Sequence, residues 1–153
     1  MTLKEHINSV ISSLHGPWVK VKSNYELELC NCLGMKHEQS RYWDASWNGC
    51  LLEFKKGKSI WLDLVRYSEV RLKQNELAMV RTETLFFLPD NNGDRIIEVA
   101  CVDSAKLMEF LGLSDDSVAK SILAINDTVP RSLNAQASVT WTDVRKLQQF
   151  NIK

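Results

Sequence analysis

Residues 50–65 read C-L-L-E-F-K-K-G-K-S-I-W-L-D-L-V. In a β-strand, side chains two positions apart share a face, so Cys50, Leu52 and Phe54 go to one side while Glu53 and Lys55 leave together on the other. An apolar strand that sets a carboxylate beside an ammonium is either a charge-protected edge or a site. Gly57 interrupts the strand read over Leu51 to Lys55, and Ile60 to Val65 resumes the extended pattern. Upstream, Asn48-Gly49 is a strong hairpin signal. Ser40 to Trp47 is therefore the partner strand, it carries Asp44, and the three segments read as an antiparallel meander.

Working outward, Ile7, Val10, Ile11 and Leu14 recur at helical spacing over Leu3 to Leu14, and His15-Gly16-Pro17 stops that helix. The run S-N-Y-E from Ser23 reads as a capping box that opens a second helix, with Gly34 at its end. C-terminal to the meander, Ser68 to Val80 reads as an amphipathic crossover helix. Leu85 to Leu88 and Ile96 to Val102 are strands joined by P-D-N-N-G-D. Helices over Ala105 to Leu111, capped by Asp103 or Ser104, and Asp115 to Ala124 follow. A loop from Asn126 to Gln136 leads to a strand over Ser138 to Trp141, and Thr142 opens a last helix ending near Phe150. This order predicts an α/β (α+β) fold with a central mixed sheet flanked by helices. It forms one domain over 1–153, divided into N-terminal helices (1–35), sheet and crossover helix (36–102) and closing helices (103–153).

The chain has 153 residues, 44% of them hydrophobic and 25% charged, with 19 basic and 19 acidic side chains. That size buries a core without staples, and no apolar run is long enough to span a bilayer. The first fourteen residues, which include Lys4, Glu5, His6 and Asn8, lack a signal-peptide core, so the expectation is a cytoplasmic (intracellular) protein with no membrane partner. Cys30, Cys32, Cys50 and Cys101 lack metal-finger spacing and are expected to be reduced, mostly buried thiols. Charge is segregated: from Lys36 to Arg81 nine basic residues face six acidic ones, and from Thr82 to Asp127 three face nine. The first stretch is a candidate anion-facing surface and the second a surface turned away from it.

Gly57-Lys58-Ser59 lacks the upstream glycine of a phosphate loop, since Leu52 stands there and strand follows. Only three histidines exist, all in or beside the N-terminal third, which disfavours serine or cysteine hydrolysis. What remains is Asp44 with Glu53 and Lys55. Two carboxylates and the Phe54 carbonyl make an oxygen-rich site suited to Mg²⁺, which keeps several waters and borrows substrate phosphate oxygens. The lysine beside it can orient or deprotonate a water and balance charge on the phosphorus.

The stretch W-D-A-S-W-N-G-C-L-L-E-F-K-K resembles the D…ExK signature of the PD-(D/E)xK nuclease superfamily, and within it the PvuII-type restriction endonucleases. Those enzymes have a similar N-D-A run at the first aspartate and an I-D-L strand like Leu62 to Leu64. They also have a basic or histidine-rich segment ending in Asn, as Arg71 to Asn75 does here. Their closing part is comparable to L-N-A-Q-A-S-V-T-W, so the resemblance spans most of residues 24 to 141. Trp43 stands where the pattern has proline, and Arg71, Leu72 and Lys73 replace the base-reading histidines.

The resemblance implies a restriction-endonuclease-like fold and a Mg²⁺-dependent type II restriction endonuclease. It would act on double-stranded DNA as a homodimer whose two-fold axis matches that of a palindrome. Asp44 and Glu53 would hold the metal with Phe54, and Lys55 would position the attacking water. Glu38 is a candidate further acid, with Glu28 as its rival. Lys56, Lys58, Arg66, Arg71 and Lys73 are candidate phosphate contacts, and Asn75, Asn134 and Gln136 candidate base readers. The apolar N-terminal helices are the candidate dimer contact. Alternatives on the same fold are a Holliday-junction resolvase, a repair nuclease or a homing endonuclease; a catalytically silent DNA-binding module would not need Lys55.

Overall fold

Asn48 and Gly49 take φ of 47° and 76°, the paired positive angles of a type I′ turn, which matches the twist of the strands it joins. It connects β2 (Ala45–Trp47) to β3 (Cys50–Lys56), antiparallel with Trp47 opposite Cys50 and Ala45 opposite Leu52. This computed structural model describes residues 1–73, 81–126 and 135–153.

Around that hairpin lies a mixed sheet of six strands in the order β1-β2-β3-β5-β6-β8. Its other members are β1 (Lys36–His37), β5 (Arg81–Pro89), β6 (Ile96–Asp103) and β8 (Phe150–Ile152). β3 and β5 run parallel from Cys50↔Arg81 to Lys56↔Phe87, and the remaining pairs are antiparallel. Parallel neighbours require a crossover, and α3 (Leu64–Lys73) lies between them in the chain.

Alternation divides the core between the two faces of the sheet. Ala45, Leu52, Phe54, Leu85, Phe87, Val99 and Cys101 pack on one side against Leu3 and Ile7 of α1 (Leu3–Val10) and Leu29 and Leu33 of α2 (Glu26–Leu33). Phe86, Ala100 and Val102 face the other side. There they meet Tyr67 and Val70 of α3, Leu107 and Met108 of α4 (Ser104–Phe110), and Trp141 and Val144 of α6 (Trp141–Leu147). α5 (Asp116–Asn126) packs beside α3. Helices therefore cover both faces, as the element order predicts.

Several expectations are corrected. The predicted meander does not continue past β3, because β2 and β5 occupy both edges of β3. β4 (Ile60–Asp63) instead pairs antiparallel with β7 (Gln136–Val139) in a separate ribbon, Ile60 opposite Val139 and Asp63 opposite Gln136. Val65 is helical, since the Asp63 carboxylate accepts from the backbone N–H groups of Val65 and Arg66 and starts α3 four residues before Ser68. No box forms at Ser23: Asn24 turns with φ of 60°, and α2 begins at Glu26 after the buried Tyr25. The last helix starts at Trp141 under a capping box of Thr140 and Asp143, and the chain beyond it adds β8 to the sheet instead of remaining helical to Phe150. Of the apolar side chains of the N-terminal segment, Ile7, Leu14, Leu29 and Leu33 are buried in the core, Val10 and Ile11 are half-buried and Leu27 is 50% exposed. Nor is Thr82 to Asp127 a plain acidic surface, because Glu83 and Glu98 are buried and Asp103 caps α4. Among the described residues no helix is long and apolar enough to cross a membrane.

Candidate active site

Asp44 immediately precedes β2, where its backbone N–H bonds to the Leu52 carbonyl and its own carbonyl accepts from the Glu38 N–H. Its Oδ2 accepts the backbone N–H of Phe54 at 2.7 Å. In a strand a residue's N–H and C=O point to the same side, so the Phe54 carbonyl points toward Asp44 as well. Glu53, on the opposite face from Phe54, is 5% exposed. Its Oε1 lies 3.6 Å from Lys55 Nζ and 3.8 Å from Arg66 Nη1. The same carboxylate lines a small cavity with Trp43, Arg66, Tyr67 and Thr84, and the Tyr67 hydroxyl lies 3.4 Å from Thr84 Oγ1.

Burial and the nearby Asp44 charge push the Glu53 carboxyl up to about 8 against the pull of Lys55 and Arg66. Burial also raises Asp44, opposed by the Phe54 N–H bond. A carboxyl raised by burial and by a second acid, beside another raised by burial, forms a site short of positive charge. The donor set of Asp44, Glu53 and the Phe54 carbonyl fits Mg²⁺, which accepts a few protein oxygens and keeps waters elsewhere. Among the described residues no group of three or more His, Cys, Asp or Glu side chains is placed to hold a metal, so a cation here would depend on that carbonyl.

The predicted trio is thus brought together, and Arg66 with it; the surrounding residues separate into several groups. Glu38 turns away, accepting from Ser46 Oγ at 2.7 Å and pairing with Lys36 at 3.5 Å. Glu28 is exposed and acts on Cys32. The acid that reaches the site electrostatically is Glu26, in the first turn of α2, which raises Asp44. Reading Glu26 as the back-reaching member of a capping box concealed it. Lys56 is not available to phosphate, since its ammonium donates to the Val19 and Val21 carbonyls and lies over the Tyr25 ring at 4.5 Å. Lys58 bonds Asn91 Oδ1 at 2.6 Å on the exposed β5–β6 turn. Arg71 donates to the Ser114 carbonyl at 2.7 Å and pairs with Asp116, which joins α3 to the start of α5. Gln136 is exposed on the ribbon. The Lys73 side chain, Asn75 and Asn134 lie outside the described residues.

Compared with known proteins, the chain matches no protein-family model and no curated sequence.

Proposed function

We propose that this chain is a Mg²⁺-dependent DNA endonuclease with a restriction-endonuclease-like fold, in which Asp44, Glu53 and Lys55 are the catalytic residues. The observation that carries the reading is the buried Glu53 carboxylate, held at 3.6 Å from Lys55 and 3.8 Å from Arg66 and opposed by Asp44. A purely structural ion pair would not need a second acid raising the first. Nor would a charge-protected edge be 5% exposed.

A Mg²⁺ ion held by Asp44, Glu53 and the Phe54 carbonyl would supply positive charge to the phosphodiester and acidify a bound water. Lys55, on the same strand face as Glu53, orients that water for in-line attack, and its ammonium faces the charge that develops on phosphorus. Arg66, 39% exposed in its side chain, extends the positive charge from Glu53 toward solvent, where a DNA phosphate would approach. The bond from phosphorus to the 3′ oxygen breaks, leaving 5′-phosphate and 3′-hydroxyl ends. Action on both strands of a palindrome by a type II enzyme would use a homodimer.

The test is incubation of supercoiled plasmid with the protein and Mg²⁺, alongside Asp44→Ala and Lys55→Ala. Metal-dependent nicking or linearisation by the wild type, lost in both variants, is expected. No cleavage by the wild type, or equal cleavage by the variants, would overturn the assignment.

A further inference from the structure

Trp61 is 60% exposed, although it lies in the middle of a regular strand. The β4–β7 ribbon has one apolar face, on which Ile60, Leu62 and Val139 are buried with Trp141. Trp141 packs edge-on against Phe86, which stands opposite Lys55 in the sheet. The ribbon therefore sits on the same side of the sheet as Glu53 and Lys55. Period-two alternation turns Trp61 outward. Antiparallel register sets Ser138 directly opposite it, with Asp63 and Gln136 two positions along on the same face.

An indole plate beside a primary amide and a hydroxyl has a specific chemistry. The indole offers a π-face, while Gln136 offers both a donor and an acceptor in one plane and Ser138 a hydroxyl. Asp63 is committed to the first turn of α3, to which Arg66 belongs. A flat ring bearing hydrogen-bonding groups on its edge satisfies such a surface, and within nucleic acids that ring is a nucleobase. A base inside an intact duplex has both faces covered by its neighbours and presents edges alone, so it leaves the indole without a partner. An unpaired base presents its face as well.

We propose that the outer face of the β4–β7 ribbon is a stacking platform for one unpaired base of the DNA substrate, with Trp61 as the plate and Gln136 and Ser138 at the base edge. This rests on the nuclease reading but replaces the fully paired palindrome as preferred substrate with DNA that carries an unstacked nucleotide, as in a bulge, flap or junction.

Binding is measured in EDTA, so that no hydrolysis intrudes, with a fully paired duplex and the same duplex bearing a one-nucleotide bulge. Wild type should bind the bulged DNA on the order of tenfold more tightly, the size of one base–aromatic stack, with quenching of tryptophan fluorescence. Trp61→Leu should abolish both the preference and the matching share of quenching, while Trp61→Phe should retain most of the preference. Trp61 is 60% exposed and lies on the face of the ribbon turned away from the core, so an unchanged thermal transition is expected of each variant and is measured alongside. Equal affinity of wild type for the two DNAs, an undiminished preference in Trp61→Leu, or absence of binding to either DNA overturns the platform. The Mg²⁺-dependent plasmid assay decides the nuclease reading separately, so cleavage without bulge preference removes the platform alone.

Discussion

Arg41 forks onto Glu69, with Nε 3.0 Å from Oε2 and Nη2 2.6 Å from Oε1. The pair ties the segment that leads into Asp44 to α3, the helix that presents Arg66 to Glu53. The two halves of the candidate site are therefore linked outside the sheet. The Arg41 side chain is 41% exposed, so the pair adds under about 1 kcal/mol to stability. Arg41→Ala is expected to leave the denaturation midpoint nearly unchanged and to lower Mg²⁺-dependent cleavage about tenfold through misplacement of Asp44. The double exchange Arg41→Glu with Glu69→Arg should recover part of that loss. Parallel chemical denaturation and plasmid cleavage would check it, and a stability loss matching the activity loss would contradict it.

Asp44 has two separable duties, which two substitutions can divide. Asp44→Asn keeps an oxygen for the Phe54 N–H but removes the negative charge. It should fold as stably as wild type and lose cleavage by about a hundredfold or more, a barrier increase of roughly 2.7 kcal/mol. Asp44→Ala removes the acceptor too and should additionally destabilise the protein by about 1 to 2 kcal/mol, since a half-buried strand N–H is left without its partner. Urea melts of both variants, set beside their cleavage rates, give the comparison.

Glu53 sets a pH dependence with a definite sign. Its carboxyl is raised to about 8 in the folded chain, above its value when unfolded, so the folded state binds the extra proton. The resulting stabilisation is complete below the ordinary glutamate range and is lost as pH rises through about 8. Between those limits stability should fall by up to about 1.4 kcal/mol per pH unit from this group. Glu53→Gln, which stays neutral, should flatten that slope in melts recorded from pH 5 to 9. Mg²⁺ should raise the wild-type midpoint most at the alkaline end, where the carboxylates are ionised. Glu98, lowered chiefly by its bond from Arg145, loses its contribution only at acid pH and lies outside this window.

The parts of the site that were legible in the sequence are those encoded locally. Asn48-Gly49 fixes the hairpin, the hairpin register brings Asp44 toward Glu53, and alternation aims Glu53 and Lys55 together. The parts that were hidden depend on partners distant in the chain. β4 resembles a third meander strand until the parallel approach of β5 fills the edge of β3, and its partner β7 lies far downstream. Glu26 reaches Asp44 only through the docking of α2 on the sheet. The basic residues after Glu53 looked alike as a charge run. Lys55 and Arg66 stay beside Glu53, whereas Lys56, Lys58 and Arg71 end at a carbonyl pair, an asparagine and a helix start, each supplied by another element.

Lys56 is the sharpest test of that distinction, because the charge run suggests a phosphate contact while its surroundings give it a structural duty. Its ammonium closes the segment around Val19 and Val21 over Tyr25, donating to the Val21 carbonyl at 2.8 Å, and burial holds it below the ordinary lysine range. Lys56→Met keeps the aliphatic stem and removes the donor. It should lower stability by about 1 to 2 kcal/mol, as expected when charged hydrogen bonds to carbonyls are lost. The salt dependence of DNA affinity should be unaltered. Arg66→Ala should behave in the opposite way, reducing the log–log salt slope by about 0.9, the value of one phosphate contact, with little change in melting. If Lys56→Met instead shifted the salt slope and left the melt untouched, its ammonium would be facing DNA, and the carbonyl clamp would not describe the protein in solution.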